Sequence, residues 1–202
     1  MKPLLYRGFA ATAALTLGLL MGCATPQGAD YQPQRGQSGK DVIWIPTSPE
    51  LVTRMLNMAK VTSQDIVYDL GAGDGIIAIT AAKQFGARAY GIEYNPQMAV
   101  HAQNNVRAAG VADKVSIRQG DIFEEKFDEA TVVTMYLLPH LNLKLRPILL
   151  KMKPGTRIVS HAFDMNEWEA DEKVSQEYAH AFMWVVPSPV EGTWTLQEVD
   201  SK

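Results

Sequence analysis

Three glycines stand on alternate positions in the stretch VYDLGAGDGII, residues 67–77: Gly71, Gly73 and Gly75, with Asp69 just ahead of them. An apolar run precedes the glycines and another follows, the pattern of a strand, a tight turn and a helix N-terminus. Such a turn lets backbone N–H groups meet a polar ligand, and glycine permits the close approach of the main chain. The spacing narrows the choice. A dinucleotide loop needs Gly-x-Gly-x-x-Gly, but Ile76 stands where the third glycine belongs, and no Gly-Lys-Ser/Thr follows to make a phosphate loop.

Acids decide what the loop could hold. Asp69 closes the first strand, where its charge would repel a pyrophosphate but suits a ligand bearing an ammonium and a sulfonium. Glu93 closes the second strand, a position from which a carboxylate accepts both hydroxyls of a ribose. Asp121 and Ile122 follow the third strand, an acid for an exocyclic amine beside an apolar cover for a purine. Singly, each acid reads as a helix cap or a solvated turn. Together, at the carboxyl ends of successive strands, they describe a nucleoside site, and S-adenosylmethionine is the ligand that matches.

The elements that must position these residues follow from periodicity. Ser48-Pro49-Glu50 is a helix start, with Leu51, Val52, Met55, Leu56 and Ala59 forming its apolar stripe. Strands are predicted over 65–70, 88–93, 115–118, 131–137 and 157–162. Helices are predicted over 76–85, from Asn95-Pro96 to about Ala109, and over 141–152, with Pro147 inside the last. This alternation is that of a doubly wound α/β sheet. The tail breaks it: residues 179–186 and 193–199 read as two strands of an antiparallel hairpin.

DLGAGDG, GIEYNP and GDIF, in this order, resemble motifs I, post-I and II/III of the class I SAM-dependent methyltransferases. The resemblance covers roughly residues 42–200. It implies a Rossmann-like seven-stranded sheet of order 3-2-1-4-5-7-6 with a C-terminal antiparallel hairpin. IPTSPELVTRMLNMAKV and TMYLLPHLNLKLRPILLKMKPGTRIVSH are similar to the small protein-lysine methyltransferases of that class, among them mitochondrial enzymes acting on the ATP synthase c-subunit and on an adenine nucleotide carrier. That likeness implies S-adenosyl-L-methionine as cofactor, bound by Asp69, Gly71, Ala72, Gly73, Glu93, Tyr94, Asp121 and Ile122. Pro46 to Glu50 would lie over its methionine end. Tyr136 is implied to face the transferable methyl and orient the acceptor, with Glu50 as a second catalytic candidate. The acceptor implied is an amine, a protein lysine or a small molecule, and a non-catalytic nucleoside-binding module in the cell envelope stays open beside the enzyme.

Composition sets the remaining bounds. With 202 residues, 19 basic against 22 acidic and no basic run, the chain offers no nucleic-acid surface, and a monomer is expected. Base methylation is disfavoured further, because MYLLP stands where an Asn/Asp-Pro-Pro-aromatic run would hold a flipped base. Four scattered histidines (His101, His140, His161, His180) and one cysteine give no metal-ligand spacing. His140 and His161 fall at strand ends, where either could act as a base or simply close a loop.

Residues 1–23 have a positive start (Lys2, Arg7) and an apolar segment from Phe9 to Met21. That segment has signal-peptide length, and Leu20-Met21-Gly22-Cys23 resembles the bacterial lipobox. Residues 24–40, rich in Pro, Gly, Gln and Ser, read as a flexible tether, which leaves 41–202 as the methyltransferase domain. A lipidated Cys23 would anchor the domain in the envelope, and Ala24 in place of aspartate points to the outer membrane, periplasmic face. Initiation at Met21 would instead delete the leader and leave the domain cytoplasmic, where S-adenosylmethionine is made.

Overall fold

The structure is a computed structural model describing residues 31–176 and 179–189. Seven strands form one sheet in the order β3-β2-β1-β4-β5-β7-β6, as expected. Strands β1 (Ile66–Leu70), β2 (Arg88–Glu93), β3 (Val115–Gln119), β4 (Val132–Met135) and β5 (Arg157–His161) run parallel. Strand β7 (Ala179–Val185) returns antiparallel to β5, and β6 (Glu172–Gln176) pairs antiparallel with β7 at the edge.

Among the described residues, four helices cover the sheet: α1 (Pro49–Met58), α2 (Ile76–Phe85), α3 (Pro96–Ala108) and α4 (Pro139–Leu149). Their starts follow from local chemistry. Ser48 Oγ accepts from the Leu51 N–H, Asn95 Oδ1 accepts from the N–H groups of Gln97 and Met98, and proline opens α1, α3 and α4. The α4 helix begins at Pro139 and includes Pro147, which has no N–H to give to the carbonyl of Leu143 one turn earlier.

Alternation along the strands divides the core into two layers. Val67, Val132 and Val159 join α1, α2 and α3 on one face, whereas Tyr68, Val133, Ile158 and Trp184 join α4 on the other. At the end of β1 the first face carries a carboxylate in place of an apolar group. Asp69 is the register partner of Thr134, so the two side chains stand together on that face, at the point where the strand order reverses.

Two expectations are corrected. The hairpin partner of β7 is β6, which precedes it, and not the strand expected at 193–199; that segment lies outside the described residues. The run EKVSQ gives little signal because an edge strand buries little and carries polar residues. The second correction concerns the tether. Part of it belongs to the folded domain, because residues 36–44 close a small hairpin. There Gly36 N donates to Trp44 O at 2.8 Å and Trp44 N to Gln37 O at 2.9 Å, with Ser38 bridged to Ile43.

Candidate active site

A cleft of about 230 Å³ opens at the carboxyl ends of β1, β2 and β4, and the 36–44 hairpin lies along it as a strap. Its floor is the glycine turn between β1 and α2. The N–H groups of Gly71 and Ala72 both donate to Ile92 O, at 2.9 and 3.0 Å, which ties the turn to the end of β2. Gly91 makes this approach possible: a Cβ there would stand 2.7 Å from Ala72 Cβ and 2.5 Å from Ile117 Cδ1. Gly73 has φ +53°, and a Cβ on it would meet the Trp44 indole at 2.6 Å, so the strap rests directly on the turn.

Glu93 holds the turn from the side. Its Oε2 accepts from Gly73 N and its Oε1 from Asn95 N, both at 2.9 Å. Each oxygen keeps a further lone pair for a ligand hydroxyl. Burial pushes the Glu93 carboxyl above its ordinary range, against the pull of the backbone N–H groups of Asn95, Gly73 and Tyr94.

Asp69 lies beneath the turn, 2 % exposed, and accepts from Thr134 Oγ1 at 2.8 Å. Burial pushes its carboxyl up to about 7; the Thr134 hydroxyl opposes this, and the charges of Asp74 and Glu93 add to it. At the other end Asp121 Oδ2 receives Lys40 Nζ of the strap at 2.7 Å, and its Oδ1 accepts from Phe123 N at 3.0 Å. The lysine hydrogen bond holds the Asp121 carboxyl below its usual range, and Lys40 also sits 4.7 Å from the centre of the exposed Tyr94 ring.

Asp69, Gly71, Ala72, Gly73, Glu93, Tyr94, Asp121, Ile122 and Tyr136 all line this one cleft. Glu50 does not. It is exposed on the first turn of α1, where its charge faces the helix N-terminus, and only Pro46 and Thr47 of the segment 46–50 reach the cleft wall. Among the lining groups that sequence reasoning missed are Lys40, Asp41 and Trp44 of the strap and Phe163 of the loop after β5. An aromatic just past the Pro- and Gly-rich stretch was the one available clue.

The donor set tests what ligand fits. Asp41, Asp69, Asp74, Glu93 and Asp121 line the cleft, and among the described residues Lys40 is the single basic side chain against them. Such a surplus rejects a pyrophosphate and accepts a ligand with cationic groups, hydroxyls and an amine. The apolar end, at Tyr136, Leu137, Leu138 and Phe163, provides a dry wall next to the polar floor. A sulfonium nucleoside fits these residues.

Comparison with known proteins agrees. The ANTKMT methyltransferase domain family matches residues 69–172. A protein-lysine N-methyltransferase of Saccharolobus islandicus (strain REY15A) is 48% identical over 138 residues, 67% of this chain and 86% of that protein. The lysine N-methyltransferase of Mus musculus named for the ATP synthase c-subunit is 26% identical over 134 residues, 66% of this chain and 53% of that protein. Among solved structures, an RNA methyltransferase from Salinibacter ruber in complex with S-adenosyl-L-homocysteine superposes with a TM-score of 0.70 at 49% identity. The match covers 76% of this chain and 100% of that one.

Proposed function

This chain belongs to the ANTKMT methyltransferase family, and from that premise we propose that it methylates the side-chain amine of a protein lysine. It is a SAM-dependent methyltransferase. What supports lysine as acceptor is the pairing of an acid-lined cofactor floor with an apolar end at Tyr136, together with the two relatives named for lysine methylation.

When bound, S-adenosylmethionine supplies a methyl group on a sulfonium. The chain's own residues do the rest. We assign Glu93 to the ribose hydroxyls, Asp121 and Ile122 to the adenine, and Asp69 with the Gly71–Gly73 turn to the cationic amino-acid end. Tyr94 closes the side of the cleft. Tyr136 orients the acceptor amine. Leu137, Leu138 and Phe163 line an apolar end that disfavours an ammonium, so the lysine is held there as the free amine that attack requires. Positioning and exclusion of water then carry most of the rate, without a dedicated base.

The Salinibacter relative is named for RNA. A polyanionic acceptor would meet five carboxylates and one lysine in this cleft, which favours protein as the acceptor here. Incubation with labelled cofactor, an envelope extract and total RNA separates the two readings. Label on lysine after acid hydrolysis of a protein band is expected; label confined to RNA, or to small molecules, overturns the lysine assignment.

We also propose that the domain is held at the periplasmic face of the outer membrane through a lipidated Cys23. The support is the positive start, the apolar segment and the lipobox-like Leu20-Met21-Gly22-Cys23. Mass spectrometry of the native protein is expected to show a diacylated or triacylated N-terminal cysteine. An unmodified chain starting at Met21 replaces this reading with a cytoplasmic enzyme.

A further inference from the structure

We propose that His161 is a positioning residue for the methyl acceptor, holding the Tyr136 ring and the Thr47 hydroxyl in place from behind the cleft wall. The inference rests on the reading that the acceptor enters at Tyr136. His161 ends β5, is 8 % exposed and stays behind the cleft, whereas Tyr136 and Thr47 both line it. Its imidazole lies against the Tyr136 ring with centroids 3.7 Å apart and planes 31° from parallel. Its Nδ1 is 3.2 Å from Thr47 Oγ1, across 114 residues of sequence. One side chain therefore joins the end of β4 to the segment that leads from the strap into α1.

The backbone around His161 is braced from several sides. Ala162 has φ +69°, a left-handed conformation rare for alanine, and its N–H donates to His180 O of β7 at 2.8 Å. Phe163 N turns back to His161 O at 2.9 Å. Asn142, fully buried in α4, donates its amide to Ser160 Oγ, Phe163 O and Asp164 O, at 3.1 to 3.2 Å. This kink accompanies the placement of Phe163 in the cleft wall and fixes the backbone that carries the imidazole. Strain of this kind persists only where the surroundings over-determine it.

Geometry and burial favour orientation over proton transfer. Burial, with the nearby His180, holds the imidazole down to about 4, so the ring is neutral at working pH and too weak a base to take a proton from an amine. A neutral ring remains a firm backing for Tyr136.

Two substitutions separate the contacts. His161→Asn keeps a polar atom near the Nδ1 position and removes the ring; His161→Phe keeps a ring against Tyr136 and removes the bond to Thr47. In the cofactor-free protein, the ring-proton resonances of Tyr136 are expected to lose their imidazole shielding in the Asn variant and to stay shielded in the Phe variant. With cofactor and acceptor, kcat is expected to fall at least about tenfold in the Asn variant and to return to within about threefold of wild type in the Phe variant. Cofactor affinity by calorimetry and the shape of the pH–rate profile should be unchanged in both.

Unaltered Tyr136 resonances in the Asn variant, or a kcat equal to wild type, overturn the proposal. Loss of a limb of the pH profile in both variants overturns it as well, by making His161 a base. A wild-type protein that methylates no lysine overturns the acceptor assignment while the resonance test of His161 still reads out. Should the Asn variant not fold, the Phe variant and Thr47→Val complete the test, with Thr47→Val expected to raise the acceptor KM and an unchanged KM overturning the role of the Thr47 contact.

Discussion

Glu93 and Gly73 are joined by a hydrogen bond of 2.9 Å from the glycine N–H to the carboxylate, across the open end of β1. The same side chain that faces the cleft for a ligand therefore also shapes the turn beneath it. Glu93→Ala is expected to weaken cofactor binding by about 2–3 kcal/mol, since it removes a charged acceptor and frees the turn. Calorimetry measures the loss, and far-ultraviolet circular dichroism should show the domain still folded. Normal binding by this variant would show that the carboxylate has no part in the site.

Asp69 gives a pH dependence of cofactor affinity. Its carboxyl, raised to about 7 by burial, is largely protonated in the free protein at pH 6. A cationic ligand group prefers the ionised form, so binding at low pH must first release a proton. Kd is expected to fall as pH rises from about 5.5 to 7, by at most about tenfold per unit, and to level off above about 7, where the carboxyl is already ionised. A flat profile over that range, by calorimetry in matched buffers, would count against Asp69 as the cation's partner.

The same carboxyl has the opposite influence on folding. Its folded value lies above the unfolded one, so the native state binds more protons between about pH 4 and 7, and stability falls as pH rises through that window. Asp69→Asn removes this slope and can still accept from Thr134. Urea unfolding should show the variant more stable than wild type at pH 8, by up to about 4 kcal/mol, and nearly equal to it at pH 4. Cofactor binding should be weakened in the same protein. Stability gained with binding lost identifies a group retained for function.

Gly91 offers a packing test away from any charge. Gly91→Ala places a methyl at 2.7 Å from Ala72 Cβ, an atom fixed to the turn's own backbone, so the turn must shift. A destabilisation of about 1–3 kcal/mol is expected, with weaker cofactor binding because the Gly71–Gly73 backbone moves with Ala72. Unchanged stability by thermal unfolding would mean that the turn does not depend on this close approach.

Lys40 links the strap to Asp121 through an exposed ion pair that salt screens. On the proposed assignment of Asp121 to the adenine, the cofactor amine would compete with Lys40 for that carboxylate. Lys40→Met frees Asp121 but also loosens the strap, so both association and dissociation of the cofactor should quicken, while Kd moves by less than about threefold. Stopped-flow binding followed through Trp44 fluorescence reads both rates. Equal rates in variant and wild type would remove the strap from the exchange step.

The glycine spacing, the acids at the strand ends and the strand–helix alternation are properties of short segments, so the fold class, the cofactor class and the acids that meet in the cleft can be read from residue order alone. Asp69, Glu93 and Asp121 each stand at or just past the end of a strand, and parallel strands in adjacent register bring their ends together without further instruction. Glu50 stands outside the cleft because helix periodicity fixes which element a residue starts but not which way the first turn faces. The strap, the partner strand of β7 and the His161 contacts depend on pairings between distant segments: Lys40 with Asp121, Trp44 over Gly73, Thr47 with His161. These pairings become visible in the folded chain. A contact across 81 or 114 residues has no period to read, and the energy that selects it exists only once the sheet has closed.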